Sequence, residues 1–321
     1  MHEIKKILVI RLSSLGDIIL SYPLLKILRK KFPEAEIHFL TGKNYSEVLR
    51  LNENTDRIIE AKKDREVTRK EIQDEKYDII LDIHKNLKSI YFSKNNAPDV
   101  RRIVKNNFKK FLLVKFKINL FKEIIPVYKK YLLTIADYLN KDDYKFSVSD
   151  LKVPSIEGFD FKYSVIAPSS RHFTKTYPAE KFIEFINTKS NETFILTGSS
   201  DKRDMEICDK INSACVNTRN LCGKLSIPEL AAVIKKSGYV ISNDSAILHL
   251  SEALGKKTTG IFGSTVKEFG FFPQLETSGV IEIKDLKCRP CTHIGLPACP
   301  EKHFKCMMDI DVTKLNIEIK N

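Results

Sequence analysis

The stretch from Ile7 to Pro23, ILVIRLSSLGDIILSYP, constrains the fold most strongly, because its pattern changes from a strand to a loop and then to a helix. Ile7 to Ile10 form a continuous apolar run, which is typical of a strand covered on both faces in a parallel sheet. From Ile18 the apolar residues recur at three- and four-residue spacing, which predicts an amphipathic helix. A buried strand that leads into a helix predicts the α/β class.

The loop between this strand and helix contains Ser13, Ser14, Gly16 and Asp17. It follows the carboxyl end of a strand, which is where open α/β sheets bind ligands. Two hydroxyls, a carboxylate and a glycine that permits close backbone approach are suited to such a site. Alternatively, Asp17 is a helix cap and Gly16 a turn residue. The loop alone leaves both interpretations open.

A chain of 321 residues is long enough for two domains. Strand and helix patterns alternate in the first half of the chain and again from Tyr163 onward. Between Lys141 and Asp160 the pattern is lost, and Pro154 and Gly158 interrupt the chain. We therefore predict two α/β domains, residues 1–155 and 156–321, with an interdomain cleft that the carboxyl ends of both sheets can face.

Candidate ligand-binding side chains follow the predicted strands of the second half. They are Ser169, Arg171, Lys175, Asp244, Ser245 and His249. Hydroxyls, cations and the free backbone N–H groups of a helix start bind phosphate, while a carboxylate can contact a sugar. The alternative is structural, because Asp and Ser are ordinary helix caps and a single histidine on a helix more often packs than binds. No Gly-x-Gly-x-x-Gly pattern is present, which disfavours a dinucleotide enzyme.

Most of the net charge of +13 comes from one region. Between His84 and Lys130 there are thirteen Lys or Arg residues, against Asp99 and Glu123. Such a run is compatible with a solvated face, an anionic substrate, an anionic membrane surface or nucleic acid. Its aromatic residues recur at helical spacing, which favours a buried helix face over a base-stacking surface.

The sequence has no apolar stretch long enough to span a membrane and no pattern typical of a signal peptide, so we expect a cytoplasmic protein with reduced cysteines. Four of the seven cysteines lie within 19 residues, together with His293 and His303. They are Cys288, Cys291, Cys299 and Cys306. A structural metal, packed thiols and disulfides all remain open for this cluster. The other three cysteines are predicted to pack in a core.

Taken together, several segments resemble the bacterial lipopolysaccharide heptosyltransferases of glycosyltransferase family 9. The segments are SSLGDIILSYPLLKILRKKFPEAEI, YDIILDIHKNLKS, Arg171-x3-Lys175-x-Tyr-Pro, LCGKLSIPELAAVI and SNDSAILHLSEALGKKTTGIFGST. They cover nearly the whole chain in the family's order. The resemblance implies a GT-B arrangement of two Rossmann-like domains, with the nucleotide sugar held mainly by the C-terminal domain and a lipid-linked acceptor mainly by the N-terminal one.

The resemblance also implies roles for individual residues. Asp17 matches the family's proposed general base, and Lys175 matches the lysine that binds the diphosphate. The backbone of Leu225 matches an adenine contact. The donor-contacting run corresponds to Asp244, Ser245, Ala246 and His249, with Ala246 standing where many members have glycine. Ser13, Ser14, Gly16, Ser169 and Arg171 complete the predicted substrate-binding set, and His84 stands where glutamine is frequent.

We therefore predict an inverting, metal-independent transferase that uses no cofactor and moves heptose from ADP-heptose to a lipopolysaccharide inner-core acceptor. Its expected partners are the nucleotide sugar and a lipid-linked anionic saccharide, at the cytoplasmic face of the inner membrane, and not nucleic acid. One alternative is a related GT-B transferase with another nucleotide sugar. A second alternative, from a different class, is a non-catalytic binder of an anionic surface or nucleic acid through residues 84–130.

Overall fold

The computed structural model describes residues 3–315, which form two compact units. The first unit contains the chain up to Lys105 and a return segment, Pro126–Val153. The second unit contains Asn106–Ile125 and the chain from Pro154 onward. Each unit has a parallel sheet with helices between its strands. The prediction of two Rossmann-like α/β domains is therefore confirmed.

The first sheet is built around the strand predicted from the apolar run. Its five strands are β1 (Lys6–Ile10), β2 (Glu36–Thr41), β3 (Arg57–Glu60), β4 (Ile79–Asp82) and β5 (Asp99–Arg102). They pair in parallel in the order β3-β2-β1-β4-β5. Ile7 to Ile10 of the central strand are fully buried, as expected for a strand with helices on both faces.

The second sheet has six parallel strands. They are β6 (Tyr163–Ala167), β7 (Thr193–Leu196), β8 (Thr218–Asn220), β9 (Val240–Asn243), β10 (Thr258–Ile261) and β11 (Gly279–Ile281). Their order is β11-β10-β9-β6-β7-β8. The polar edge strand β8 was not predicted, because its three residues carry no apolar pattern.

Helices connect the strands of both sheets. They are α1 (Leu15–Ile19), α2 (Tyr22–Lys31), α3 (Ser46–Leu49), α4 (Arg65–Glu75), α5 (Leu87–Ser93), α6 (Asn107–Phe116), α7 (Val127–Leu132), α8 (Ala179–Asn187), α9 (Lys202–Ala214), α10 (Ile227–Lys236), α11 (Ala246–Ala253) and α12 (Lys305–Met308). The first predicted helix is split between α1 and α2. Pro23 causes the split, because it lacks an N–H and its ring would clash with the carbonyl of the preceding turn.

The segment Asn106–Ile125, here called the crossing segment, leaves the first unit and packs in the second. Leu113 of α6 is buried, and the ammonium of Lys110 lies 5.8 Å from the ring centre of Phe269. Lys117 Nζ donates to the carbonyl of Pro290 at 2.7 Å. The predicted division at residue 155 assigned this segment to the first domain, since its amphipathic pattern does not specify which core it covers.

In each sheet the strand order reverses beside the first strand of the unit. The reversal lies between β1 and β4 in the first unit, here called the first switch point, and between β6 and β9 in the second, here called the second switch point. The loops at the carboxyl ends of such strand pairs diverge and leave a crevice, the usual ligand site of open α/β sheets. The loop that contains Asp17 and the loops that contain Lys175 and Asp244 follow these strands.

Two further sequence predictions concern packing and membrane spans. Cys208, Cys215 and Cys222 are buried in the core of the second unit, so their predicted packing role is confirmed. No helix within residues 3–315 combines the length and apolar character needed to cross a bilayer.

Candidate active site

Asp17 at the first switch point is held by side chains from three parts of the first unit. Its Oδ2 pairs with the guanidinium of Arg11 at 2.6 Å and accepts a hydrogen bond from Ser14 Oγ at 2.8 Å. Its Oδ1 accepts a hydrogen bond from the hydroxyl of Tyr131 at 3.3 Å. Arg11 is itself fixed by donating to the carbonyl of Ile83 at 2.9 Å. The carboxylate is therefore oriented by tertiary contacts.

These contacts bear on the two interpretations of Asp17. Ser14 is the N-cap residue of α1, and Asp17, three residues on, closes a capping box with it, in which the backbone N–H of Ser14 lies 3.5 Å from Oδ2. Burial raises the pKa of Asp17, but the charge of Arg11 and hydrogen bonds from Ser14 and Arg11 outweigh it and lower the pKa below its ordinary value. Asp17 is thus ionised at neutral pH and able to accept a proton, in addition to its part in the capping box.

His84 and Lys105 lie beside this carboxylate at the same edge of the sheet. The backbone N–H of Leu12 donates to Nδ1 of His84 at 3.0 Å. Burial, with the charges of Arg11 and Lys105, lowers the pKa of His84 to about 4, so the ring is neutral at neutral pH. Burial and the charge of Arg11 also lower the pKa of Lys105. The first switch point therefore combines the carboxylates of Asp17 and Asp82 with the cationic groups of Arg11 and Lys105.

Sequence reasoning missed two groups at this point, namely Arg11 and Tyr131. Arg11 directly follows β1, so its position at the carboxyl end of a buried strand was a usable signal. Tyr131 lies in α7, 114 residues from Asp17, and no local pattern connects the two. The predicted residues Ser13, Ser14 and Gly16 lie in the same loop or in the first turn of α1, next to Asp17.

The second switch point is organised by an ion pair between two predicted residues. Lys175 Nζ lies 2.8 Å from Asp244 Oδ2, and both side chains are largely buried. Thr265 Oγ1 donates to the same oxygen at 2.7 Å, and Ser170 Oγ donates to the backbone carbonyl of Asp244 at 3.2 Å. These contacts join the loops after β6, β9 and β10. The ammonium of Lys175 is thereby held at the crevice, with donors in excess of the one that Asp244 uses.

Further hydrogen bonds fix the loops around this ion pair. Ser169 donates to Asp204 on α9, and Asp204 also accepts from the backbone N–H of Ser199 at 3.0 Å. The hydroxyls of Ser242 and Ser245 lie 3.0 Å apart. The backbone N–H of Tyr177 donates to the side chain of Asn243, which ends β9. The backbone around the crevice is therefore preorganised.

The remaining predicted residues of the second unit occupy different places. Ala246 begins α11, and His249 is buried one turn into that helix, 6.1 Å from the ring centre of Phe271. Arg171 is exposed on the loop after β6. Leu225 is half-buried in the turn between β8 and α10. The loops and the helix that follow β6 and β9 contain the Lys175–Asp244 ion pair and also Ser169, Ser245, Ala246 and His249. Leu225 instead follows β8.

All seven cysteines are free thiols, which contradicts a disulfide interpretation of the C-terminal cluster. Burial raises the pKa of Cys288 and Cys291, and that of Cys306 to about 12, which favours the protonated form. Cys288 Sγ lies 4.0 Å from Nε2 of His303. Cys306 is buried in the core of the second unit. The charges of Cys291, Cys299 and Cys288 act on Cys306, so the four thiols lie near one another.

Two other sets of residues could hold a metal. Within residues 3–315, one set of three ligand atoms, from Glu36, His38 and Glu75, lies within 4.8 Å of one another. Lys6 Nζ already binds Glu75 at 2.8 Å and lies 3.3 Å from Glu36. The ammonium of Lys6 therefore occupies the position that a metal ion would take between these carboxylates. The sequence also contains one Asp-x-Asp pattern, Asp309 to Asp311, which follows α12 and whose second carboxylate accepts from the backbone N–H of Thr313 at 2.9 Å.

Two Rossmann-like α/β units, each with a parallel sheet, are the architecture of the GT-B glycosyltransferases. The sequence model of one family, glycosyltransferase family 9 (heptosyltransferase), matches residues 65–301. The chain belongs to this family, and the predicted family and fold class are confirmed.

Similar proteins agree with this membership. The lipooligosaccharide heptosyltransferase 2 of Campylobacter jejuni is 28% identical over 96% of this chain and 95% of its own length. A family 9 glycosyltransferase from Veillonella parvula has a similar structure, with a TM-score of 0.73, 22% identity, and coverage of 88% of this chain and 86% of that one. The ADP-heptose heptosyltransferase II of Escherichia coli gives a TM-score of 0.70 at 17% identity, covering 97% and 100%.

Proposed function

We propose that this protein transfers heptose from ADP-heptose to an anionic saccharide of the lipopolysaccharide inner core, with inversion at the anomeric carbon and without a metal ion. The names of its relatives support the sugar, the donor and the acceptor class. The observation that carries the proposal is the carboxylate of Asp17, kept ionised by Arg11 among cationic groups at the first switch point.

In the proposed reaction, the acceptor hydroxyl attacks the anomeric carbon from the face opposite the diphosphate. A carbon–oxygen bond to the acceptor forms, the bond to the diphosphate breaks, and the hydroxyl proton moves to Asp17. Because its pKa is lowered, Asp17 is a weak base. It takes the proton after the new bond has begun to form, when the acceptor oxygen has become acidic. ADP leaves with the electron pair of the broken bond.

The departing diphosphate requires positive charge and N–H donors. Lys175 supplies an ammonium, and the start of α11 at Ala246 supplies backbone N–H groups. In this proposal Ser169, Arg171, Ser245 and His249 also contact the donor, and the backbone of Leu225 contacts the adenine. Lys175 replaces the charge that a divalent ion supplies in other transferases.

The proposed acceptor is anionic because the groups around Asp17 are cationic. The charges of Arg11 and Lys85 act on Lys105 together with those of Asp82 and Asp17. Arg101, by contrast, is neutralised in ion pairs with Asp99 and Asp137. The acceptor therefore meets only part of the basic run of residues 84–130.

The same pairing weakens the alternative of a non-catalytic nucleic-acid binder. That alternative requires the positive charges of residues 84–130 to be available to phosphates, but Arg101 is already paired with Asp99 and Asp137. We further propose that the enzyme works at the cytoplasmic face of the inner membrane, where a lipid-linked acceptor would be presented.

The test is a transfer assay combined with a donor panel. Purified protein should form a heptosylated product from ADP-heptose and a heptose-free inner-core acceptor. In thermal unfolding, ADP should stabilise the protein by about 2.7 kcal/mol at 100 times its dissociation constant, whereas UDP, GDP and CDP should not. Lys175→Gln should lose most of this stabilisation, and Lys181→Gln, which removes a half-buried lysine of α8 that pairs with Glu184, should keep it.

Selective stabilisation by UDP would instead identify a transferase with another nucleotide sugar. If no nucleoside diphosphate stabilised the protein and no product formed, the proposed reaction would be refuted.

A further inference from the structure

We propose that the crossing segment is a membrane-docking surface that binds a bilayer containing anionic phospholipid. This inference deepens the proposed function, because a lipid-linked acceptor lies in a membrane. Binding of the segment to such a bilayer can be measured without donor or acceptor.

The crossing segment exposes an unusual number of large apolar side chains. Among residues 3–315, seventeen large apolar side chains are exposed, and six of them lie in these twenty residues. The six are Phe108, Phe111, Phe116, Ile118, Leu120 and Ile124. Single exposed apolar residues are normal on a protein surface, but a contiguous group marks an interaction site.

The aromatic residues of α6 are exposed, so the buried helix face predicted from their spacing is wrong for this helix. Phe108 and Phe111 are separated by one helical turn, so they share a face of α6, and they are 69% and 55% exposed. Phe116 is 56% exposed and packs edge to face against Phe111, with ring centres 5.9 Å apart. Leu113, on the opposite side of α6, is buried. One side of the helix is therefore anchored and the other presents phenylalanine rings.

The anchoring contacts hold the segment in a fixed orientation on the second unit. Lys117 donates to the carbonyl of Pro290, and Asn119 Nδ2 donates to Glu268 at 3.0 Å. Lys110 lies over the ring of Phe269. A preformed apolar surface avoids the ordering cost that a disordered segment would incur on binding.

The charge of the segment selects the kind of membrane. It contains five lysines and one acidic residue, Glu123. The lysines are Lys109, Lys110, Lys115, Lys117 and Lys122. Helices that lie in a membrane interface typically combine exposed aromatic side chains with lysines. The aliphatic part of a lysine side chain can extend its ammonium toward lipid phosphates. The positive balance complements anionic lipid head groups.

The absence of tryptophan from the whole sequence allows a direct test. Phe116→Trp places a single indole on the proposed surface. Its fluorescence should shift to shorter wavelength, and brominated lipid should quench it, when vesicles of phosphatidylcholine with about one third phosphatidylglycerol are added. Phe161→Trp, which replaces an exposed phenylalanine outside the segment, should show neither change. Equal responses from the two variants, or none from Phe116→Trp, would overturn the proposal.

Vesicle flotation gives the second measurement. The triple variant Phe108→Ser, Phe111→Ser, Phe116→Ser should lose roughly tenfold or more in affinity for these vesicles, because the inserted apolar area is removed. The control variant Val67→Ser, Phe161→Ser, Val216→Ser removes three exposed apolar residues elsewhere and should bind like wild type. Lys109→Gln, Lys115→Gln, Lys122→Gln should weaken binding and reduce its dependence on salt.

Other occupants of this surface give distinct results. Self-association that the phenylalanine triple variant abolishes, without vesicle binding by wild type, would assign the surface to a second copy and overturn the proposal. Turnover with a soluble, deacylated acceptor should be unchanged in the triple variant, whereas turnover with acceptor embedded in vesicles should fall. If wild type bound vesicles but transferred heptose to neither acceptor, the proposed function would fail and the docking surface would stand.

Discussion

Asp17 combines two properties that act against each other in a base. Its partner Arg11 keeps it ionised, so it is available to accept a proton, but the same contact lowers its pKa and its proton affinity. Tyr131 and Ser14 fix both carboxylate oxygens. The site therefore contributes more to the orientation of the Asp17 carboxylate than to its basicity. Different substitutions can test the two properties separately.

Asp17→Asn tests whether the carboxylate is catalytic. An amide cannot take the acceptor proton, so turnover should fall roughly 10²- to 10⁴-fold, while stabilisation by ADP persists. Asp64→Asn is the matched control, because Asp64 caps α4 by accepting from the backbone N–H of Glu66 at 2.9 Å. Asparagine caps about as well as aspartate, so that variant should keep wild-type activity. A folded Asp17→Asn protein with more than about a tenth of wild-type turnover would exclude the role.

Arg11→Gln tests the electrostatic part. Without the Arg11 charge, burial should raise the pKa of Asp17, and the acidic limb of the pH–rate profile should move to higher pH. In wild type the limb should lie below pH 3.8, the ordinary value for this carboxyl. Arg11→Lys retains a positive charge and should shift the limb less. Identical acidic limbs in wild type and Arg11→Gln would contradict this account.

Among the elements, α2 shows how the return segment is attached to the first unit. The last two residues of α2, Lys30 and Lys31, pair with Asp143 at 2.9 and 2.6 Å. The backbone N–H of Asn140 also donates to Asp143, at 2.9 Å. The pKa of Asp143 is held well below its usual range by hydrogen bonds from Lys31, from the backbone of Asn140 and from Lys30. The segment that carries Tyr131 to Asp17 is therefore attached through a pH-dependent contact.

Asp143→Asn should lower the melting temperature at pH 7. Because the folded pKa is depressed, the contribution of this carboxylate is present above its unfolded value and is lost as the pH falls, so the difference from wild type should shrink below about pH 4. Asp142→Asn is the control, since Asp142 forms only an exposed pair with its near neighbour Lys145. A loss that is independent of pH, or equal in both variants, would contradict the assignment.

The elements also show what sequence patterns can and cannot predict. The central strand β1 was predictable because Ile7 to Ile10 are buried on both faces. The break between α1 and α2 had a usable signal in Pro23, although the apolar spacing continues across Ser21 and predicts a single helix. Lys175 and Asp244 were each identified from their positions after strands, but their ion pair depends on strand order, which spacing along the chain does not reveal. For the same reason the contact of Tyr131 with Asp17 could not be predicted.

At the level of the whole molecule, the two switch points belong to different units, and each unit has its own sheet. In hydrogen exchange, ADP should therefore slow exchange in the loops that contain Lys175 and Asp244. It should leave the strand β1 and the loop of Asp17 nearly unchanged. Equal protection of both loops by ADP alone would show that the nucleotide also binds at the first switch point.

The course of the chain through the crossing segment limits how this protein can be recombined with its relatives. A chimera joined only at Pro154 would combine the second sheet of one protein with the α6 of another, leaving the contacts of Phe269 and Pro290 to a foreign helix. A modular exchange needs two further junctions, at Lys105–Asn106 and Ile125–Pro126, so that each half carries its own packing partner. Because an exchange at one junction breaks these contacts, we expect the two halves of the chain to be inherited together, although each has a separate core.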